Sequence, residues 1–126
     1  MRSAALLALT LLAGPALAET RYLLGADDVP LPPSFAEQAG AAVSFSGEGG
    51  RLLETRARGA AGADEVRAFY TDALPPLGWS QAPSAPDEPM SFRRGRERLT
   101  IAIAPEGSGL DLAFRLTATP AQFDPD

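Results

Sequence analysis

Alternation of apolar and polar residues predicts a β-hairpin in the first half of the chain. Val43 and Phe45 alternate with serines, and after the stretch GEGG, Leu53, Thr55 and Ala57 alternate with charged residues. A period of two residues is that of a half-buried strand, and clustered glycines between two such runs are typical of a hairpin turn. The sequence therefore predicts a hairpin with one apolar and one polar face.

The segment that follows has the period of a helix. Its apolar residues fall on one helical stripe, formed by Val66, Phe69, Tyr70, Ala73, Leu74 and Leu77. Pro75 and Pro76 disfavour helical backbone in the residue before each of them, so the helix is predicted to end near Ala73 or Leu74. Gly78 then allows the chain to turn. We interpret the stripe as the core face of the helix.

Three more alternating runs follow a proline-rich loop. Their apolar positions are Met90 and Phe92, then Leu99, Ile101 and Ile103, then Leu110, Leu112, Phe114 and Leu116. Short turns at 94–97 and 106–109 join the runs, which favours an antiparallel meander. The predicted order is β-β-α-β-β-β, and the fold class is α+β. One helix would pack on a four- to five-stranded, mostly antiparallel sheet in a two-layer sandwich.

The two ends of the chain differ from this central pattern. Residues 1–18 combine Arg2, a short apolar run and an A-x-A site, which is the pattern of a cleaved secretory signal peptide. Residues 19–40 form an extended, proline-rich leader segment, 41–119 the α+β domain and 120–126 a frayed tail. The leader either docks through Val29, Leu31 and Phe35 or is a flexible tether, and the sequence favours neither.

Composition excludes several chemistries. The chain has eleven basic residues, all arginine, and no histidine or cysteine. Triads that use His or Cys, the usual zinc sites and lysine Schiff bases are therefore excluded. The arginine bias is typical of a GC-rich genome and favours a Gram-negative periplasm. A net charge of −5 argues against nucleic acid as a partner, and no integral membrane segment is expected after signal cleavage.

Pairs of adjacent carboxylates are the remaining acid–base candidates. They are Asp27-Asp28, Asp64-Glu65 and Asp87-Glu88. We interpret the second pair as helix-terminus electrostatics and the others as solvated loop charge. A carboxylate hydrolase would need two acids in one cleft, which this spacing does not suggest. We predict no enzyme activity, no catalytic residues, no cofactor and no metal.

Arginines supply the candidate binding site. The stretch SFRRGRER places four arginines, at 93, 94, 96 and 98, around one turn, and three more, at 56, 58 and 115, fall on polar strand faces. Arginine forks onto carboxylates and phosphates. The predicted partner- or anion-binding patch consists of Arg56, Arg93, Arg94, Arg96 and Arg115. The alternative is a solubilising turn whose arginines pair with acids on neighbouring strands, namely Glu54, Glu97 and Asp111.

Three segments carry a family resemblance. ADEVRAFYTDALPPLGW, MSFRRGRERLTIAI and LDLAFRLT resemble a loose group of small exported proteins and lipoproteins of Gram-negative, alphaproteobacterial-type bacteria. The resemblance implies this fold and an envelope setting, and it implies no catalytic residues. The lipid-modified cysteine of the lipoprotein members is missing here.

Two functions are consistent with these patterns. The first is a periplasmic, non-enzymatic accessory or adaptor domain that contacts an envelope protein through the arginine-bearing face of the sheet. The alternative is a periplasmic binder of a small anionic ligand, such as a lipid or glycan fragment, held between the leader and the sheet.

Overall fold

A computed structural model describes residues 20–120. The predicted signal peptide and residues 121–126 of the predicted tail lie outside the described residues. The strands are β1 (Tyr22–Leu23), β2 (Ala26–Pro30), β3 (Ala36–Glu37), β4 (Val43–Gly47), β5 (Gly50–Gly59), β6 (Ser80–Ala82), β7 (Met90–Arg94), β8 (Glu97–Glu106) and β9 (Gly109–Ala118). Helix α1 spans Ala63–Ala73, and a 3₁₀ turn follows at Pro75–Leu77.

The α+β class is confirmed, but the sheet is larger than predicted. It is antiparallel, with seven strands in the order β3-β5-β9-β8-β7-β6, and β4 pairs with β5 beside β3. The prediction of four to five strands was wrong because β3 and β6 have two and three residues. Runs this short show no period in the sequence. A separate hairpin, β1–β2, lies in the leader.

One face of the sheet forms the core, and we call it the core face. The alternating residues predicted for the last three strands lie on it, and most are fully buried, including Phe92, Leu99 and Leu112. On β5 the core-facing residues are Leu53, Thr55 and Ala57. The opposite face, called the open face below, carries the polar residues of the same strands.

Helix α1 packs on the core face through the predicted stripe. Val66, Tyr70 and Leu74 are buried, and the helix ends at Ala73, as predicted. The prediction was wrong for Leu77, which is 38% exposed, because the backbone enters a 3₁₀ turn and leaves the helical stripe. Gly78 then adopts a φ of 95°, a left-handed conformation that favours glycine.

Aromatic side chains fill the space between the helix and the sheet. Tyr70 contacts the ring of Phe114 edge-on, with centroids 6.1 Å apart. Its hydroxyl donates a hydrogen bond to the carbonyl of Pro30 at 2.9 Å. Trp79 and Phe92 are also buried. The helix, the sheet and the leader therefore share one core.

The leader is docked on the core face rather than free. Val29, Leu31 and Phe35 are all buried, so the first of the two alternatives describes residues 20–40. Phe35 lies over the end of β5, where a Cβ added to Gly59 would be 2.5 Å from the Phe35 ring. Because Gly59 has no side chain, the leader can cross the sheet at this point.

The hairpin β4–β5 is present, but its predicted faces were wrong. Gly47 pairs with Gly50, which places Phe45 opposite Leu52 and Val43 opposite Glu54. Residues opposite each other in a sheet share a face. The apolar residues of β4 therefore lie on the open face, with the polar side of β5.

Candidate functional site: the open face of the sheet

Strand alternation places five arginines on the open face. They are Arg56, Arg58, Arg93, Arg98 and Arg115, each next in sequence to a core-facing residue. The same face has three carboxylates, Glu54, Glu106 and Asp111. In the rest of residues 20–120, five arginines stand against ten carboxylates. The open face is thus net positive in a net negative domain.

The arginines of β5 and β9 make ion pairs across the strands, as the solubilising alternative predicted. Arg115 Nε lies 3.6 Å from Glu54 Oε1, and Arg56 Nη1 lies 3.8 Å from Asp111 Oδ2. Arg58 pairs with Glu106 at 2.7 Å and approaches Asp111 at 3.6 Å. Arg115 and Glu54 are both exposed, and exposed pairs contribute at most about 1 kcal/mol each. Arg115 is therefore only loosely held.

Asp111 gives two of these arginines a structural role. Asp111 is only 7% exposed, although it lies on the open face. Its Oδ1 atom is buried and accepts no hydrogen bond. A buried carboxylate without hydrogen bonds is costly unless a cation lies nearby. Arg56 and Arg58 provide that positive charge.

Arg93 and Arg98 differ from the other arginines of this face. They occupy opposite positions on β7 and β8. Within residues 20–120, no carboxylate lies within 4.0 Å of either side chain. Like charges directly opposite each other destabilise a sheet. This pair of guanidinium groups is thus available to an external anion.

Sequence reasoning placed Arg98 in the turn region but omitted it from the site. The signal was present in SFRRGRER, because a two-residue turn at Gly95-Arg96 pairs Arg94 with Glu97 and Arg93 with Arg98. Residues that lie opposite one another on neighbouring strands extend this pair into a row. The row crosses the open face through Thr117 and Leu52 to Phe45. Phe45 is 64% exposed. One row of the sheet therefore joins two arginines to an apolar end.

A shallow groove lies beside this row. Its floor consists of small residues on β8 and β9, including Thr100, Ala102 and Ala113. Arg56 and Arg115 line it, and its volume is about 340 Å³. Two arginines thus line a groove whose floor consists of small residues, an arrangement that suits a small anion.

Arg94 does not belong to the patch, so its grouping with Arg93 was wrong. It follows Phe92 by two residues and lies on the other side of β7. Its guanidinium lies 4.3 Å from the centre of the Trp79 ring and donates to the carbonyl of Leu77 at 3.2 Å. It also pairs with Asp28 and, at 2.8 Å, with Glu97.

These contacts make Arg94 a structural link between the leader, the helix end and the β7–β8 turn. Burial alone would lower the pKa of Arg94, but hydrogen bonds to Glu97 and Asp28 outweigh it, and the pKa is raised. Arg96 lies in the turn itself, where its carbonyl accepts from the N–H of Thr119 at 3.2 Å. Arg56, Arg93 and Arg115 are the members of the predicted set that lie on one face.

Other site types have little support in residues 20–120. No group of three or more His, Cys, Asp or Glu residues in this part of the chain is placed to hold a metal ion. Nor does any helix there have the length and apolar character needed to cross a membrane.

The fold and the exposed, arginine-bearing sheet of residues 20–120 define a two-layer α+β domain, whose described part has one α-helix. A family model described as START domain-like matches residues 41–119. This is more than half of the 126-residue chain, and the protein belongs to that family. Searches of curated proteins and of solved structures gave no match. The resemblance to small exported envelope proteins stays a prediction.

Proposed function

We propose that the protein is an exported, non-enzymatic accessory domain of the bacterial cell envelope that binds an acidic partner protein through its open face. The observation that carries this proposal is the Arg93–Arg98 pair, which faces solvent and has no carboxylate of residues 20–120 within 4.0 Å. An arginine pair that weakens the sheet by repulsion gains stability when an anion binds.

The filled interior supports contact on the outside of the domain. Tyr70, Trp79 and Phe114 occupy the space between helix and sheet, and Phe35 covers the end of β5. A ligand entering between the leader and the sheet, as the alternative suggested, would displace these buried side chains. The open face has no covering layer among the described residues.

The dimensions of the arginine–Phe45 row favour a protein over a small molecule. The row crosses β7, β8, β9, β5 and β4, which are four strand spacings. At about 4.8 Å per spacing the row is roughly 19 Å long. Protein interfaces are enriched in arginine and aromatic residues of this kind. An acidic segment with an apolar end would match both parts of the row.

The uneven charge supports an acidic partner. Five arginines against three carboxylates on the open face contrast with five against ten elsewhere in the described residues. A domain charged in this way turns its positive face towards an anionic surface during approach. Because salt screens such attraction, binding should weaken as ionic strength rises.

A crosslinking pull-down from intact cells tests the proposal. The test variant is Arg93→Ala with Arg98→Ala, and the matched control is Arg21→Ala with Arg67→Ala on the helix side. Both remove two positive charges. We expect the test variant alone to lower capture of the main partner at least tenfold. Capture unchanged in the test variant, or equally reduced in the control, would refute the proposal.

The groove between Arg56 and Arg115 supports a second candidate, a small anionic ligand such as a lipid or glycan fragment. Neither arginine donates a hydrogen bond to its carboxylate at 3.6–3.8 Å, so both have donors to spare. Native mass spectrometry of protein purified from the periplasm should then show a retained small molecule. It should be absent from the Arg56→Ala, Arg115→Ala variant. Wild-type protein with no bound molecule would contradict this candidate.

A further inference from the structure

Strand β4 is an unprotected edge of the sheet. Within residues 20–120 it pairs only with β5, so the backbone groups on its other side have no strand partner. Natural edge strands are usually protected by charged residues, proline or a bulge. The β4 sequence VSFSG has no charge and no proline, and its register with β5 is regular. All five residues are exposed.

Exposed apolar side chains cluster at the same edge. Phe45 and Val43 are 64% and 45% exposed. Both lie on the open face, opposite Leu52 and Glu54 of β5. An unpaired backbone and apolar side chains together indicate an interface that accepts another strand.

The partner strand is best matched by a second copy of β4. Residues 38–47 contain no charged residue, so two copies meet here without like-charge repulsion. An acidic strand would find no arginine on β4, because those of the open face lie on β5, β7, β8 and β9. We therefore propose that β4 pairs antiparallel with β4 of a second copy, with the Phe45 side chains of the two copies packed against each other.

The opposite edge of the sheet makes this assembly a closed dimer. Strand β6 has only three residues, and Pro83 follows it directly. Proline cannot donate to a strand ladder. With one usable edge in residues 20–120 of each molecule, a two-fold contact closes at two copies and does not extend into a fibre.

The dimer places two open faces on the same side of one continuous sheet. In an antiparallel pair, opposite residues share a face, so the arginines of both copies point in one direction. This inference goes beyond the proposed function and does not depend on it. Where the open face does bind a partner, a dimer would bind with two sites at once.

Sedimentation of the purified protein over a range of concentrations tests the proposal. We expect wild type to form dimers, and Phe45→Glu and Phe45→Arg each to sediment as monomers, because identical charges would face each other. Mixing the two variants should restore a dimer, since opposite charges then meet. The control Gln81→Arg, on β6 at the other edge, should stay dimeric.

Three results would overturn the proposal. The first is a wild-type monomer at every concentration up to the solubility limit. The second is a dimer that both Phe45 variants leave unchanged, which would place the interface elsewhere. The third is a monomeric wild type that crosslinks to another protein, while the Phe45 variants do not. The edge would then bind a different chain. Urea unfolding of each variant shows whether it is folded, because Phe45 lies outside the core.

Discussion

Three consecutive residues of β7 show how differently the two faces of the sheet are used. Phe92 is fully buried in the core, and Arg93 lies on the open face, where no carboxylate of the described residues is within 4.0 Å of it. Arg94 returns to the other side, where it contacts Trp79, Asp28 and Glu97. Two adjacent arginines thus have opposite roles: one stabilises the fold, and the other is available for binding. The position of each arginine along the strand determines which face it lies on and therefore which role it has.

The largest expected effect compares Phe92 with its neighbour Arg93. Phe92→Ala should lower the free energy of unfolding by about 3–5 kcal/mol, because it leaves a cavity in the core. Arg93→Ala should change it by less than about 0.5 kcal/mol, as surface substitutions usually do. Urea unfolding of both variants makes the measurement. Equal losses in the free energy of unfolding would mean that the two faces contribute equally to stability.

The next effect separates the two adjacent arginines. Arg94→Ala should cost about 2 kcal/mol, from a cation–π contact of about 1 kcal/mol and ion pairs of up to about 1 kcal/mol. It should leave capture of a partner unchanged under conditions in which urea unfolding shows that the variant is folded. Arg93→Ala with Arg98→Ala should show the reverse. If Arg94→Ala abolished capture from a folded protein, Arg94 would have to be returned to the binding site.

The smallest effect is a loss of stability at alkaline pH that belongs to the core face. Burial raises the pKa of Tyr70 above its ordinary value of 10.0. The folded state therefore holds the proton after the unfolded state has lost it. Stability is complete below pH 10 and falls above it, by about 1.4 kcal/mol at pH 11.

Measuring the free energy of unfolding from pH 8 to pH 11 checks this slope. The chain has no lysine or cysteine to titrate in that range. Tyr70→Phe should remove the slope and, by losing the bond to Pro30, lower stability at neutral pH by about 1 kcal/mol. Tyr22→Phe should retain the slope. A wild-type protein whose stability is constant to pH 11 would contradict the burial of Tyr70.

The strands around the turns at 94–97 and 106–109 were predictable because alternation and turn spacing agree. Alternation and turn spacing also determine two features that the predictions missed. Phe92 faces the core, so parity alone places Arg94 on that side and Arg93 on the other. A turn that pairs Gly47 with Gly50 also places Phe45 opposite Leu52. The faces of β4 and the separation of Arg94 from Arg93 were therefore predictable from the sequence.

Other features depend on tertiary contacts that no local pattern contains. The leader has no period, because Pro30, Pro32 and Pro33 interrupt it, yet Val29 is fully buried. Its place is set by the slot over Gly59 and by the hydroxyl of Tyr70, forty residues away along the chain. The burial of Asp111 likewise depends on arginines from another strand. Contacts of this kind are formed only once the sheet is assembled.

The place of β9 has a consequence for when the protein can fold. It is the last strand in sequence among residues 20–120, and it lies between β5 and β8 in the middle of the sheet. Arg51 of β5 therefore pairs with Ala118, a residue far along the chain. Pairings this distant in sequence close slowly, because the ordering of the intervening chain opposes them. Until residues 109–118 are available, β5 and β8 lack the strand that joins them, and the sheet cannot be completed.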